Sequence, residues 1–360
     1  MTQMILYRRI PRTRRARKDT QMKRFAKLGI LTLLITALII TQTACSTKPE
    51  TVSRENYLLD TACNLIVYST GDTLDEDIAN KAIDDAYDLC AQLDKTLSKT
   101  AEVSDVSKIN SAGGQWIEVS DYTRDLINAG LKYSKLSDGR FDITVGRLTD
   151  LWDFHAAEPA LPEESDIAAA VQHVGYECVE IDGNKVRLTD PEMKIDLGGI
   201  AKGYIGDRMA DLMIEEGVTS GIVNLGGNII CIGGKPDGDG FNIGIEAPFS
   251  DRTEIIGSIN VADKTTVTSG VYERMFEIDG KIYHHILDVE TGYSIDNDLN
   301  AVTIIADIGR SVDCDALSTT CLIKGYEEGR KFIEGIDGVE AVFILRDGTV
   351  EQTSGVELMN

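Results

Sequence analysis

The chain has no Cys-x-x-Cys pair, and the six cysteines after Cys45 (Cys63, Cys90, Cys178, Cys231, Cys314 and Cys321) are scattered, mostly inside apolar runs. Buried free thiols are the expectation, and a zinc site or disulfide framework is not. Gly-x-Gly-x-x-Gly is absent, and no Gly-Lys-Ser/Thr follows a glycine-rich turn, which removes the ordinary dinucleotide and P-loop fingerprints. Positive charge is scarce past residue 27, where 26 Lys and Arg stand against 58 Asp and Glu, a net of −32. Such a body, with no basic patch, repels a phosphate backbone, so no nucleic-acid partner is expected. There is no internal repeat and no Pro/Gly/Ser linker, and roughly 300 residues suffice for one large or two small cores.

The first 27 residues are the opposite, with ten Lys or Arg and one acid, Asp19. An apolar run follows from Leu28 to Thr41, too short to span a bilayer comfortably, and closes on Thr43-Ala44-Cys45-Ser46. That is the layout of a signal peptide over residues 1–44. A Cys after a small residue there resembles a bacterial lipobox, although Gln42 stands where an aliphatic residue is usual. Cys45 is the expected lipidation site, and Met22-Lys23-Arg24 would start a signal of ordinary length. An uncleaved anchor with a chance cysteine would leave the rest of the chain exported all the same. Residues 45–56 read as a lipidated terminus and tether, and 57–350 as the folded domain.

The patterning of that domain is α+β. Tyr57 to Ser69 reads as a strand, Asp75 to Leu97 as an amphipathic helix, and Ser98 to Asn110 as a loop with a short helix. A short strand at Trp116 to Val119 precedes a helix capped by Ser120 and ended by Asp138-Gly139. Another helix opens at Pro162, followed by strands near Cys178 and Lys185. Past residue 220 strands dominate, ending with Lys281 to Asp288; helices near Asp315 to Lys324 and Tyr326 to Ile336 and a strand at Ala341 to Leu345 close the chain.

The chain is organised around Asp196-Leu-Gly-Gly-Ile-Ala-Lys-Gly203, where an apolar strand signal runs into a glycine pair and then a helix. Gly198 and Gly199 let a ligand approach the main chain, the helix brings its positive end to the same place, and Lys202 lies near it. An isolated Gly-Gly would be only a βα turn. Four other clusters keep it company: Phe141 to Trp152, Asn224-Leu-Gly-Gly-Asn228, Thr268-Ser-Gly leading into His284-His285-Ile-Leu-Asp288 and Thr291-Gly292, and Asp313-Cys-Asp-Ala-Leu-Ser-Thr319. His284 and His285 are adjacent on a strand signal, so they point to opposite faces and do not make a two-histidine metal site. Asp315 and Thr319, four apart on a helix, rise from one face and could share one hard cation such as Mg²⁺. Without the other motifs, the same spacing would read as Asp315 capping the helix and Thr319 bonding back into it.

In this order the clusters resemble the ApbE family of flavin transferases, from about Tyr57 to about Ile344. Asp196 to Gly203 is similar to the family's D-[LF]-[GS]-[GA]-[IL]-A-K-G, Asn224 to Asn228 to N-x-G-G-[DN], and His285 to Gly292 to H-x-x-D-P-x-T-G. Arg147, Val289 and Ser294 stand where prolines are usual; these are turn positions, where altered rigidity is expected and no lost chemistry. The resemblance implies a single α+β domain with two lobes, mixed or antiparallel sheets, packed helices and a flavin-binding cleft. It implies an exported, Mg²⁺-dependent enzyme that moves the FMN half of FAD to a Ser or Thr hydroxyl of a separate redox protein and releases AMP. Some relatives instead hydrolyse FAD, and a binder that stores or delivers FAD without turnover is the alternative outside enzymes. His285, with Asp288, is the implied catalytic pair, His285 being the base. Leu59, Thr100, Arg140, Phe141, Asp142, Asp196, Lys202 and Val289 are the implied flavin contacts. The Gly199 carbonyl joins Asp315 and Thr319 on the metal, with Asp313 in support.

Overall fold

The computed structural model describes residues 50–69, 75–154, 156–250 and 254–359. Cys45 and the signal segment lie outside the described residues. The order is β1 (Thr51–Leu58), β2 (Thr61–Tyr68), α1 (Glu76–Leu97), α2 (Asp105–Ser111), β3 (Ile117–Glu118), α3 (Asp121–Leu136), α4 (Gly146–Trp152), α5 (Glu164–Val171), β4 (Val179–Asp182) and β5 (Lys185–Leu188). It continues with α6 (Gly198–Glu215), β6 (Gly221–Leu225), β7 (Asn228–Ile232), β8 (Phe241–Glu246), β9 (Ile255–Val261), β10 (Lys264–Gly270), β11 (Met275–Ile278) and β12 (Lys281–His284). Last come β13 (Leu299–Asp307), α7 (Ser311–Lys324), α8 (Tyr326–Glu334), β14 (Val339–Leu345) and β15 (Val350–Gln352).

The chain enters this fold earlier than a tether over residues 45–56 allows, and stays in it well past 350, Met359 exchanging backbone hydrogen bonds with Ser258. Thr51–Leu58 pairs with β2 along its length, Thr51 opposite Tyr68 and Leu58 opposite Thr61. The hairpin turns on Leu59-Asp60, whose φ values of 55° and 56° match the twist of a tight two-residue turn. Helix ends follow their capping residues: Asp75, Ser104 and Ser120 each accept a backbone N–H at the start of α1, α2 and α3.

Eight strands form one antiparallel sheet in the order β1-β2-β6-β7-β10-β13-β14-β15. Helices α1, α6 and α7 cover one face, and the β8–β9 hairpin covers part of the other. β13 is buried on both faces, Val302 and Ile304 under the helices and Ala301 and Ile305 under the hairpin. Its sequence is apolar over most of its length, Asn300 and Thr303 apart, and it is a strand that the sequence reading did not foresee. A third cluster ties α4 and α5 to the β11–β12 hairpin around Trp152, whose ring stacks on Tyr283 and whose Nε1–H donates to the Gly292 carbonyl at 2.8 Å.

Two element boundaries differ from the expectation. α7 begins at Ser311, ahead of the expected Asp313–Asp315, because its cap comes from another helix: Asp207 on α6 accepts the amides of Ser311 and Val312 at 3.0 Å each. The strand expected to run to Asp288 stops at His284, beyond which the His285 amide donates to the Arg274 carbonyl at 3.1 Å and the chain turns.

Candidate functional site

The site is built where α6 meets α7. Gly203 lets them touch, since a Cβ there would lie 2.2 Å from the Ser311 carbonyl oxygen. The helices run antiparallel: Asp207 meets Ser311 and Val312, and one turn back the Gly203 N–H donates to Asp315 Oδ2 at 2.9 Å. A further turn along each helix brings Gly199 level with Thr319. Asp315, Thr319 and the first turn of α6 are thus one locality.

Asp315 lies in the second turn of α7, so it does not cap that helix. The Thr319 hydroxyl makes no hydrogen bond among the described residues; it is the neighbouring Thr320 that bonds back, to the Ala316 carbonyl at 2.7 Å. Both groups are left for another purpose. Burial pushes the Asp315 carboxyl up to about 6, against the Lys202 charge, the Gly203 N–H and the Asn228 amide. A carboxylate, a hydroxyl and a main-chain carbonyl are all hard oxygen donors, which suits Mg²⁺. No group of three His, Cys, Asp or Glu that could hold a metal occurs among the described residues. Asp313 does not join the site: two residues from Asp315, it projects from a different side of α7 and pairs with Lys132 and Arg310, each at 3.2 Å.

Lys202 is the fifth residue of α6, and its side chain makes no hydrogen bond or ion pair among the described residues. Its charge acts on both Asp315 and His285. The His285 ring, half-buried at the surface, is packed among protein atoms that, with Arg274, His284 and Lys202, push its pKa down to about 3. The imidazole is neutral at pH 7. Its Nδ1 lies 3.3 Å from the Arg274 carbonyl, which fixes the proton there and leaves Nε2 as an acceptor. His284 points the other way, buried, with Nε2 3.1 Å from the Ile295 carbonyl. Ser294 ties this turn with its hydroxyl, donating to the His284 carbonyl at 2.6 Å and accepting the His284 amide at 2.8 Å.

Asp288 makes no hydrogen bond to His285 among the described residues. Its Oδ1 accepts the amides of Glu290 and Thr291 at 2.8 and 3.2 Å, so it shapes the turn that carries Val289 and acts by positioning. Asp142 is also withheld: its carboxylate is buried, accepting from Thr144 N, Thr144 Oγ1 and Tyr176 N at 2.6–2.8 Å, and desolvation raises its pKa. Short polar side chains beside a turn satisfy backbone donors first. Phe141, by contrast, packs its ring against Gly199, with a Cβ there only 3.2 Å from ring carbon Cε2. Arg140 beside it is half-buried, within electrostatic range of Glu328.

Asp196 sits at the mouth of α6, accepting the Gly198 N–H at 2.9 Å through Oδ1 and the Thr149 hydroxyl at 2.7 Å through Oδ2. Lys99 was not visible as a site residue in the sequence. Its Nζ reaches Thr149 Oγ1 at 2.6 Å, Asp150 at 2.9 Å and Asp196 at 3.1 Å. Burial alone would raise the Asp196 carboxyl, but Lys99, Thr149 and the Gly198 amide hold it below the usual range. Thr100 follows Lys99 and is exposed beside this network, and Leu59, on the first hairpin turn, is joined to α1 through Asp94 at 3.4 Å. A cleft of about 310 Å³ opens next to the α6–α7 locality, lined by Gly226, Gly227, Thr268, Tyr272 and Glu273 among others. Glu273 is close enough to act on Asp315.

Residues 59–343 match the ApbE family. An FAD:protein FMN transferase of Treponema pallidum (strain Nichols) is 31% identical over 321 residues, 84% of this chain and 87% of that one. Another, from Klebsiella pneumoniae (strain 342), is 34% identical over 276 residues, 76% and 84% of the two chains. Among solved structures, the ApbE protein of Thermotoga maritima superposes with a TM-score of 0.77 at 32% identity, covering 85% of this chain and 97% of its own. The flavinyl transferase ApbE of Pseudomonas stutzeri, in its apo form, gives 0.74 at 30%, covering 85% and 95%.

Proposed function

Because the chain belongs to the ApbE family, we propose that it transfers the FMN half of FAD to a Ser or Thr hydroxyl of a separate redox protein, with Mg²⁺, and releases AMP. The observation that carries this reading is the convergence of His285, Lys202 and Asp315 at the opening of α6. The relatives that bear the name FAD:protein FMN transferase support it.

His285 Nε2 takes the proton of the acceptor hydroxyl as that oxygen attacks the FMN-side phosphorus. The bond from this phosphorus to the bridging oxygen breaks, and the electron pair leaves with AMP. A base that is neutral at pH 7, with one nitrogen tied to a carbonyl, is ready for that step. Lys202 and the main-chain amides at the start of α6 face the pyrophosphate. Asp315, Thr319 and the Gly199 carbonyl would hold Mg²⁺, which when bound neutralises charge on the pyrophosphate oxygens. Asp196 and Phe141, with Leu59, Thr100, Arg140 and Val289, would hold the rest of FAD. Asp288 and Asp142 serve by shaping their turns. The basic, apolar and small-residue order that ends at Cys45 supports a lipid-anchored protein on the extracytoplasmic face of a membrane.

The test is incubation of the protein with FAD, MgCl₂ and an acceptor domain carrying the motif D-G-x-[ST]-G-A-[ST], a stretch that this chain itself lacks. A covalent yellow adduct plus AMP is expected. FMN and AMP without adduct would assign a pyrophosphatase, and intact bound FAD a binding lipoprotein; either overturns the transferase.

A further inference from the structure

We infer that Asn228 is a positioning residue of the cation site, steadying the Asp315 carboxylate with its amide nitrogen and leaving its amide oxygen for a water of the cation's shell. The inference rests on the reading that Asp315, Thr319 and Gly199 hold Mg²⁺. Asn228 opens β7 and is 0% exposed, yet neither its Oδ1 nor its Nδ2 makes a hydrogen bond among the described residues. The sheet fixes its direction. Ile230, two residues on, packs on α6, where a Cβ at Gly206 would lie 2.6 Å from Ile230 Cδ1. Alternate residues share a face, so Asn228 points into the same α6–α7 layer. Asp315 enters that layer from α7, and the Asn228 amide lies beside its carboxylate although the two stop short of a well-formed hydrogen bond.

An unpaired buried amide is destabilising, and a leucine, branched at the same carbon though larger, would stand there without that penalty. The asparagine therefore has a reason outside the fold. It is delivered by the Gly226-Gly227 turn, with φ of 63° and 103°, which the Thr268 N–H pins through the Gly227 carbonyl at 3.1 Å. Mg²⁺ in proteins keeps several waters and its carboxylate ligands are held by further partners. An amide offers a donor to the carboxylate and an acceptor to a bound water together. Neither leucine nor a hydroxyl residue does both at this reach.

The experiment titrates MgCl₂ into the FAD-free protein by calorimetry and follows melting with and without the salt. Asn228→Leu should weaken Mg²⁺ binding about 10- to 100-fold, while the metal-free variant melts no lower than wild type. Mg²⁺ affinity within twofold of wild type, with a lower metal-free melting temperature, makes Asn228 a packing residue and overturns the inference. Should Asn228→Leu not fold, Asn228→Asp decides: the metal-free protein should melt lower than wild type, and MgCl₂ should raise its melting temperature by more than it raises that of wild type. An equal rise overturns the inference. A wild type that does not bind Mg²⁺ overturns the cation site itself, an outcome read before any variant is made.

Discussion

Replacing Lys99 by Met removes one cation from beneath two carboxylates. Lys99 and Asp196 are 20% and 18% exposed at their side chains, so the pair is only lightly screened. Removing one partner of a buried pair costs about 3–5 kcal/mol when the other is left alone. Here the remainder is partly supported: Asp150 keeps Lys194 at 2.7 Å, and Asp196 keeps the Thr149 hydroxyl and the Gly198 amide. The expected loss is therefore about 2–3 kcal/mol at pH 7.5. Asp196, held low in the wild type chiefly by Lys99 against its burial, contributes stability above its unfolded pKa that is lost as pH falls through the folded one. In the variant burial is unopposed by Lys99 and that carboxyl rises, so the deficit relative to wild type shrinks as the pH is lowered below about 5. Urea melts of both proteins at pH 7.5 and pH 4.5 measure this. A deficit below about 1 kcal/mol at pH 7.5, or one that is the same at both pH values, would refute the reasoning, because the network would then be an ordinary surface ion pair.

Asp207→Asn tests the opposite linkage. Burial holds the Asp207 carboxyl up to about 6, so its contribution is full below the unfolded value and disappears as pH rises through 6; between pH 4 and 8 the variant should gain about 3 kcal/mol over wild type in denaturant melts, and parallel pH curves would count against it. Asp315→Ala should abolish Mg²⁺-dependent AMP release from a protein that still folds, with FAD affinity, read by flavin fluorescence, reduced less than activity; wild-type rates of AMP release would exclude Asp315 from the metal. Mass spectrometry of the native protein should find a diacylated terminus at Cys45, whereas a membrane fraction starting at Met1 or Met22 would remove the lipid anchor.

Most of the fold could be read because local signals and burial agree. Ser120 and Asp75 stand where helices begin and do cap them, and the strand read at Ala341 to Leu345 is the buried part of β14, whereas β13 beside it was not read as a strand. Two other misreadings share a cause, partners distant in sequence. Thr51 to Asn56 is polar and read as a tether, but it belongs to β1, whose main chain is satisfied by β2, and an edge strand needs little apolar surface of its own. α7 starts early because its cap is Asp207, over a hundred residues away, so no capping residue at its own N-terminus announced it.

The site shows the same division. Asp315 and Thr319 were legible because four residues is one helical turn, a relation inside one element. What joins them to Gly199 is the antiparallel register of α6 on α7, set by Gly203 against Ser311 and by Asp207 on the α7 amides. Lys99 had no local signal at all, since a lysine in a polar loop is ordinarily solvated, and only the approach of α4 and Asp196 makes it a buried counter-ion. Conversely Asp142 and Asp288, which match the motifs, spend their carboxylates on neighbouring amides. A motif therefore marks two kinds of residue alike, those that face the ligand and those that shape the loop. Only the hydrogen-bond partners separate them: the candidate reactive groups here, His285 Nε2, Lys202 Nζ and Thr319 Oγ1, make no such bond among the described residues, and Asp315 accepts one only from the Gly203 amide.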